Sequence, residues 1–245
     1  MRRDDDAQRA VACAITMQLA IDEVNARNKN AGYPEIHMGI GIHTGDVVVG
    51  NIGSSKHTKY GVFGGTVNLA SRIESYTVGG QILISKSTLD ACGEILRIDG
   101  QMTVMPKGVK EPLAIYDIGG IGGKFHIFLP KKKTIELVAL QHPLPVKFTL
   151  LEGKHSSEDT YNGSMIKLKD AIAEIQAQRN CRELTNLKIS IFDSESNKIT
   201  ADLYAKVSSQ CSENPPIFRV NFTFVPPEAE EFFKHVLGFQ IKEEP

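Results

Sequence analysis

The sequence predicts an α+β protein built from two domains. Strand and helix patterns alternate through residues 1–118, which indicates one sheet with helices packed on it. Residues 134–245 contain short strand patterns separated by turns and close with a helical pattern, which favours a small, mostly antiparallel β-barrel with a C-terminal helix. The chain has 245 residues, 41% of them hydrophobic and 23% charged, so each part can bury a core.

Composition excludes several classes of function. A formal charge of −1 gives no electrostatic case for binding nucleic acid or an anionic membrane. The four cysteines form no CxxC pair, which argues against a zinc site or a disulfide framework and favours a reducing compartment. No apolar run approaches the roughly 20 residues that cross a bilayer. We therefore expect a cytoplasmic protein.

The N-terminal segments have clear periodic patterns. Ala7 to Asn30 keeps apolar residues at helical spacing, and the acidic Asp4–Asp6 suits a helix N-terminus. Alternation over Ile36–Ile42 predicts a strand, Thr44–Asp46 a hairpin turn, and Val47–Val49 the restart of a strand. Glycines within both strands allow another backbone or a helix to approach closely.

The rest of this half also alternates. A strand over Gln81–Ser85, a helix over Lys86–Cys92 and strands over Ile95–Val104 and Leu113–Ile118 are predicted. The glycine-rich Gly119–Lys124 lacks the spacing of a phosphate-binding loop, so we interpret it as a flexible joint that opens a linker over residues 119–133.

One short stretch, YGVFGGTVNLASRIE, is the strongest candidate for a site. We expect a strand that ends at Gly64-Gly65 and a helix capped by Thr66. An apolar stripe along this helix contains Leu69, Ile73 and Tyr76. Asn68 and Arg72 lie four residues apart on a neighbouring face, where an amide and a permanent cation suit an anionic ligand. The alternative is a surface helix with a solvated polar face.

The second half is dominated by strand patterns. Its segment Met165–Gln178 fits either a pair of strands or a helix, and Glu228–Leu237 fits a closing helix after two prolines. The remaining predicted strands are Pro145–Leu150, Asn186–Asp193, Lys198–Val207 and Pro216–Val225.

Residues 6–118 resemble the catalytic domain of class III adenylate and guanylate cyclases. The matching motifs are MGIGIHTGDVVVGNIG, YGVFGGTVNLASRIE, QILIS and PKGVKEPLAIYDI, in that order. The resemblance implies a ferredoxin-like sandwich, only part of which this chain contains, and a second cyclase domain that must pair with it. It also implies production of cyclic AMP or cyclic GMP, with pyrophosphate, from ATP or GTP in intracellular signalling.

The resemblance assigns roles to single residues. Asn68 corresponds to the asparagine that orients the ribose, and Arg72 to the arginine that steadies the α-phosphate. Lys110 best fits the lysine that holds the terminal phosphates, with Lys107 as the rival position.

The base-recognition position falls on Gly61, followed by Val62. Family members commonly carry Asp or Thr there for adenine and Cys or Ser for guanine, whereas glycine has no side chain. The choice between ATP and GTP stays open on this basis, and family frequency alone favours ATP.

Family members hold two Mg²⁺ or Mn²⁺ ions with two aspartates that precede the long helix. This sequence starts at that helix, so the metal ligands are missing from it, and Asp4–Asp6 and Asp46 are poor substitutes. We therefore expect the chain to be inactive alone. Two interpretations remain: part of a longer cyclase, or a non-catalytic pseudo-cyclase or regulatory subunit that pairs with a metal-bearing domain.

Residues 134–239 weakly resemble a PilZ-type barrel. Such barrels bind cyclic di-GMP through an RxxxR arm and a D/N-x-S-x-x-G strand. No RxxxR precedes Pro143, and the second motif, placed over Lys167–Ile172, is not intact. Cyclic di-GMP binding is therefore not expected, and a generic regulatory or dimer-supporting barrel is the alternative.

Overall fold

The computed structural model describes residues 3–33, 35–54, 57–106, 111–131, 135–152 and 155–241. The chain divides into two compact units, Met1–Lys132 and Lys133–Pro245, called the N-terminal unit and the C-terminal unit below. Helices and strands mix in the first, and strands predominate in the second. The predicted α+β class is therefore confirmed.

The N-terminal unit alternates helices and strands along the chain. Its elements are α1 (Asp6–Asn30), β1 (Ile40–Ile42), β2 (Val48–Ser54), β3 (His57–Phe63), α2 (Gly65–Ser75), β4 (Ile82–Ser85), α3 (Lys86–Cys92), β5 (Leu96–Val104), β6 (Leu113–Ile121) and β7 (Ile127–Phe128). No described helix is both long enough and apolar enough to span a bilayer.

A five-stranded sheet forms the centre of this unit, in the order β1-β4-β6-β5 with β7 beside β6. The pair β1–β4 is parallel, and β6 is antiparallel to β4, β5 and β7. The helical spacing of α1 places Val11 and Ile15 on the face that covers the sheet, where both are fully buried in one cluster with Ile82 and Ile84.

The predicted strand over Ile36–Ile42 is too long. Only Ile40–Ile42 pairs as a strand, because two side chains of α1 take the preceding backbone groups. Asn25 exchanges two hydrogen bonds with the backbone of Ile36, and the Gln18 amide donates to the Met38 carbonyl at 2.7 Å.

The predicted hairpin turn at Thr44–Asp46 is wrong. β2 pairs with β3 in a separate two-stranded antiparallel sheet, whereas β1 pairs with β4. Hydrogen bonds to α3 hold the loop after β1 instead, since the Ser87 hydroxyl donates to the Thr44 carbonyl at 2.9 Å. Local turn chemistry indicated where the chain bends but not which strand it meets.

The predicted flexible joint at Gly119–Lys124 is also wrong in part. Gly119 and Gly120 lie buried within β6, where an added methyl would lie 2.0 Å from an Asp99 oxygen and 2.1 Å from the Phe128 ring, respectively. These glycines therefore serve close packing rather than flexibility. The ammonium group of Lys124 then pairs with Asp5.

Two glycines, one within β1 and one just before it, allow α2 and the residues after it to pack directly on this segment. A Cβ built on Gly41 would lie 2.3 Å from the backbone nitrogen of Glu74 in α2. A Cβ on Gly39 would lie 1.8 Å from the hydroxyl oxygen of Thr77, just beyond that helix. The close approach expected from the glycines of this strand is thus observed, and it fixes the position of α2.

The C-terminal unit is a closed barrel of six strands, in the order β10-β13-β12-β11-β8-β9. Its elements are β8 (Val138–Glu152), β9 (His155–Lys169), β10 (Ile172–Ala177), β11 (Asn186–Ile191), β12 (Leu203–Glu213), β13 (Pro216–Phe224) and α4 (Pro227–Ile241). The ambiguous segment Met165–Gln178 is a strand pair that turns at Asp170, whose φ is +51°.

Alternating apolar residues of these strands fill the barrel. Phe148, Met165, Ile175 and Phe218 are fully buried, and α4 adds Phe233. The predicted strand start at Lys198 is wrong, because residues 198–202 precede β12.

We expect Gly41→Ala to destabilise the N-terminal unit by about 1–3 kcal/mol, because the new methyl group would collide with the backbone of α2. Amide hydrogen exchange of the full chain measures this as faster exchange across residues 65–75. Gly50→Ala is the matched control, since a methyl group there meets nothing within 4 Å. Unchanged exchange of α2 in the Gly41 variant would contradict the packing argument.

Candidate functional site

The candidate site begins where β3 passes into α2. Gly64 is the N-cap residue, and its φ of +132° lies in the region that favours glycine. Its carbonyl accepts the backbone N–H groups of Val67 and Asn68 at 3.2 and 3.3 Å. A Cβ on Gly65 would meet nothing within 4 Å, so the first turn of the helix is open to a ligand.

Thr66 is not the N-cap, contrary to prediction. Its hydroxyl group donates instead to the Asp46 carbonyl at 2.7 Å. Gly64 has the backbone geometry of the cap, so Thr66 lies inside the helix. The hydroxyl thus ties the start of α2 to the loop that follows β1.

Asn68 and Arg72 project from the outer side of this helix. Asn68 is exposed and Arg72 half-buried, while Ile73 is fully buried beneath them. Neither polar side chain has a hydrogen bond or ion pair with any described residue. An amide and a guanidinium one turn apart are thus free to meet a ligand.

The charge of Arg72 affects the pKa of Tyr76 on the same side of α2. Burial raises the pKa of Tyr76, and the nearby Arg72 guanidinium partly opposes that rise. Arg72 and Tyr76 are four residues apart, so they lie one turn apart on the same side of the helix. A planar guanidinium is suited to bidentate contacts with phosphate oxygens.

Gly61 and Val62 lie on β3, just before the glycine turn. Gly61 is opposite Gly50 in the hairpin, and Val62 is exposed. A Cβ on Gly61 would meet the end of the Ile52 side chain at 2.9 Å. This stretch of strand therefore offers a ligand backbone atoms and an apolar side chain, but no side-chain hydrogen bond. Lys110 and the rival Lys107 lie outside the described residues.

The acidic residues at the start of α1 are engaged in the fold. The Asp6 carboxylate accepts the backbone N–H of Arg3 at 2.9 Å, and the Lys124 ammonium group holds the pKa of Asp5 below its usual value. In the described part of the chain, no three His, Cys, Asp or Glu side chains are grouped to hold a metal ion.

A polar cluster that the sequence analysis did not single out lies beside this region. His43 Nδ1 is 2.8 Å from the Ser85 hydroxyl oxygen, which is 2.9 Å from that of Ser87. Ser85 also accepts the Thr88 N–H as the N-cap of α3, and burial lowers the pKa of His43. The signals of it in the sequence are IHTG at the end of β1 and SKST at the start of α3. The cluster fixes the loop between β1 and β2.

Comparison with known families matches the segment that carries this helix. Residues 2–118 match the family model of the adenylate and guanylate cyclase catalytic domain. The resemblance that the sequence motifs indicated is thereby confirmed for this cyclase-like segment, which contains Gly61, Val62, Asn68 and Arg72.

Similar proteins include both kinds of cyclase. "Adenylate cyclase 1" of Rhizobium meliloti is 32% identical over 117 residues, which are 47% of this chain and 18% of that protein. The adenylate cyclase of Anabaena cylindrica is 37% identical, over 47% of this chain and 25% of its own length. The chain thus spans no more than a quarter of these curated relatives.

A solved structure is closer in sequence. The crystal structure of the guanylyl cyclase Cya2 has 55% sequence identity to this chain over the matched part, with a TM-score of 0.51. The match covers 53% of this chain and 66% of that one.

Asn68→Ala and Arg72→Ala should each change the free energy of unfolding by less than about 0.5 kcal/mol, because neither side chain has a partner among the described residues. Ile73→Ala, one position along, should cost about 2–5 kcal/mol because its side chain is fully buried. Urea unfolding of the full chain measures all three. A large loss in either polar variant would mean that the side chain serves the fold.

Proposed function

We propose that the N-terminal unit is part of a class III nucleotide cyclase, which converts a nucleoside triphosphate to a cyclic nucleotide and pyrophosphate in intracellular signalling. The observation that carries the proposal is a pair of side chains on α2, the exposed Asn68 and the half-buried Arg72, neither of which has a partner among the described residues. The match of residues 2–118 to the cyclase catalytic domain supports it.

The proposed chemistry is an attack by the ribose 3′-hydroxyl on the α-phosphorus, with pyrophosphate as the leaving group. Negative charge shifts among the phosphate oxygens during this step. The Arg72 guanidinium stabilises that charge, and the Asn68 amide holds the sugar for an in-line attack. Lys110 is proposed to hold the terminal phosphates.

Members of the family use Mg²⁺ or Mn²⁺ for this reaction. The described residues of this chain contain no grouped set of ligands for such an ion. The carboxylates of Asp5 and Asp6 already have partners within the fold. We therefore assign none of this chain's side chains to the metal, and we propose that residues 1–245 do not turn over nucleotide alone.

A second cyclase domain is the proposed partner. The β2–β3 hairpin beside α2 exposes a group of apolar side chains, among them Val48 at 68% and Tyr60 at 75% of their surface, with Val62 and Phe63. Val48 and Phe63 lie opposite one another on one face of the hairpin, and Tyr60 and Val62 lie on its other face. Exposed apolar side chains are typical of a surface that another chain covers. Pairing there would bring metal-binding carboxylates of the partner towards α2.

Complementation tests this proposal. The full chain with Mn²⁺ should form no cyclic nucleotide, because no set of metal ligands is grouped among the described residues. Adding a metal-bearing cyclase domain, with its own counterparts of Asn68 and Arg72 replaced by alanine, should restore activity. Arg72→Ala should lower the restored rate by at least about 100-fold, since it removes a charge contact made in the transition state.

Arg27→Ala is the matched control, because Arg27 is an exposed arginine on α1. Product from the isolated chain would contradict its proposed inactivity. Equal rates for the Arg72 and Arg27 variants would contradict the catalytic role. A partner that binds the chain without any gain in activity would support the alternative of a regulatory pseudo-cyclase subunit.

GTP is the proposed substrate. The 55% identity to a guanylyl cyclase exceeds the 32% and 37% identities to two adenylate cyclases. In the complementation assay, kcat/KM for GTP should exceed that for ATP by at least about tenfold, because a site that pairs with one purine edge leaves polar groups unpaired with the other. Faster turnover of ATP than of GTP, measured by product chromatography, would refute this assignment.

We propose that the C-terminal unit is a PilZ-like regulatory barrel without a cyclic di-GMP site. The D/N-x-S-x-x-G motif fits Asn162–Lys167 better than the placement over Lys167–Ile172 made from the sequence: Asn162 and Ser164 match its first and third positions, and Lys167 occupies the glycine position. The ammonium group of Lys167 pairs with the buried Glu174 at 2.9 Å. A glycine would leave the backbone bare at this position, whereas a lysine does not.

A further inference from the structure

A cavity of about 520 Å³ lies in the C-terminal unit beside the loop that joins β10 to β11. The end of β8 contributes one wall, and the loop contributes the rest. Its lining includes Leu150, Leu151, Arg179, Arg182, Leu184 and Thr185. Pockets of about 300–1,000 Å³ are typical of small-molecule sites.

Two arginines line this cavity, three residues apart in the sequence. Arg179 is held in place, because it donates to the Tyr161 hydroxyl at 2.5 Å and stacks 4.9 Å from the centre of that ring. Arg182 has no side-chain partner among the described residues. Neither arginine has its charge neutralised by a described carboxylate, so the cavity favours an anion.

The loop is a fixed wall, because hydrogen bonds join it to β12. Leu184 N–H donates to the Val207 carbonyl at 2.8 Å, and Val207 N–H donates to Thr185 at 2.9 Å. The Gln210 amide donates to the side chain of Asn180. A preformed wall lowers the entropy that binding would cost.

The remaining lining is apolar or neutral. Leu150, Leu151 and Leu184 are half-buried and present aliphatic surface. Burial raises the pKa of the Cys181 thiol to about 11, so this group is neutral near pH 7 and does not repel an anion.

We propose that this cavity binds a small phosphorylated molecule with an apolar or aromatic body. Its phosphate lies between Arg179 and Arg182, whose planar donors match phosphate oxygens bidentately. Its body lies on the three leucines. A phosphate monoester carries about −1.5 to −2 charges at neutral pH and can engage both cations. This inference is independent of the proposed cyclase reaction.

Phenyl phosphate is the probe, added to the ¹⁵N-labelled full chain and followed by amide NMR. Saturable shifts are expected at residues 150–151 and 179–186. Inorganic phosphate should bind at least about tenfold more weakly, because it lacks the apolar body. Arg182→Gln should weaken phenyl phosphate binding by at least about tenfold, while Lys234→Gln, the same charge change on α4, should leave it unchanged.

Three results would overturn the proposal. The first is the lack of saturable shifts with phenyl phosphate. The second is equal binding of phenyl phosphate by wild type and Arg182→Gln, where a wild-type-like spectrum of the free variant confirms its fold. The third is binding of inorganic phosphate, or of uncharged benzyl alcohol, as tight as that of phenyl phosphate.

Discussion

The contact between Gly41 and the backbone of Glu74 determines the architecture of the candidate site. A helix normally packs on a strand through side chains, whereas here the strand has none at the point of contact, and a methyl group would lie 2.3 Å from a backbone nitrogen. The helix axis therefore lies closer to the sheet than any other residue would allow. Because Thr66 also binds the loop after β1, both ends of α2 are held.

That constraint separates the faces of α2 into different roles. The inner face buries Ile73, and burial of such a side chain stabilises the fold by about 1.5–3 kcal/mol. The outer face has Asn68 and Arg72, which have no described partner. A guanidinium without a hydrogen-bond or ion-pair partner among the described residues can make those interactions with a ligand. The buried inner face thus holds the helix in place, and the outer face presents its polar side chains to a ligand.

Sequence patterns predicted the elements whose signals are local. The helix over Lys86–Cys92 and the strand start at Pro216 were placed correctly, since periodicity and flanking turns define them. The hairpin at Thr44–Asp46 was wrong because its strand partner is distant in sequence. Gly119 was misread because a glycine that allows flexibility and one that allows close packing look the same in a sequence.

The site residues divide in the same way. Asn68 and Arg72 were predicted from helical spacing and family motifs. Arg179 and Arg182 were not predicted, because they lie on a loop that local patterns do not describe.

Purine selection cannot rest on the side chains of the β2–β3 hairpin at the predicted base position. Gly61 and Gly50 face one another in register, so neither strand has a side chain at this point. Among the described residues, nothing lies within 4 Å of a Cβ added at Gly50, and at Gly61 only the end of the Ile52 side chain is near. Hydrogen bonds to a purine edge are directional and need a donor or an acceptor at a defined place. In the proposed cyclase, discrimination therefore depends on backbone groups of this strand or on side chains that the second domain places against it.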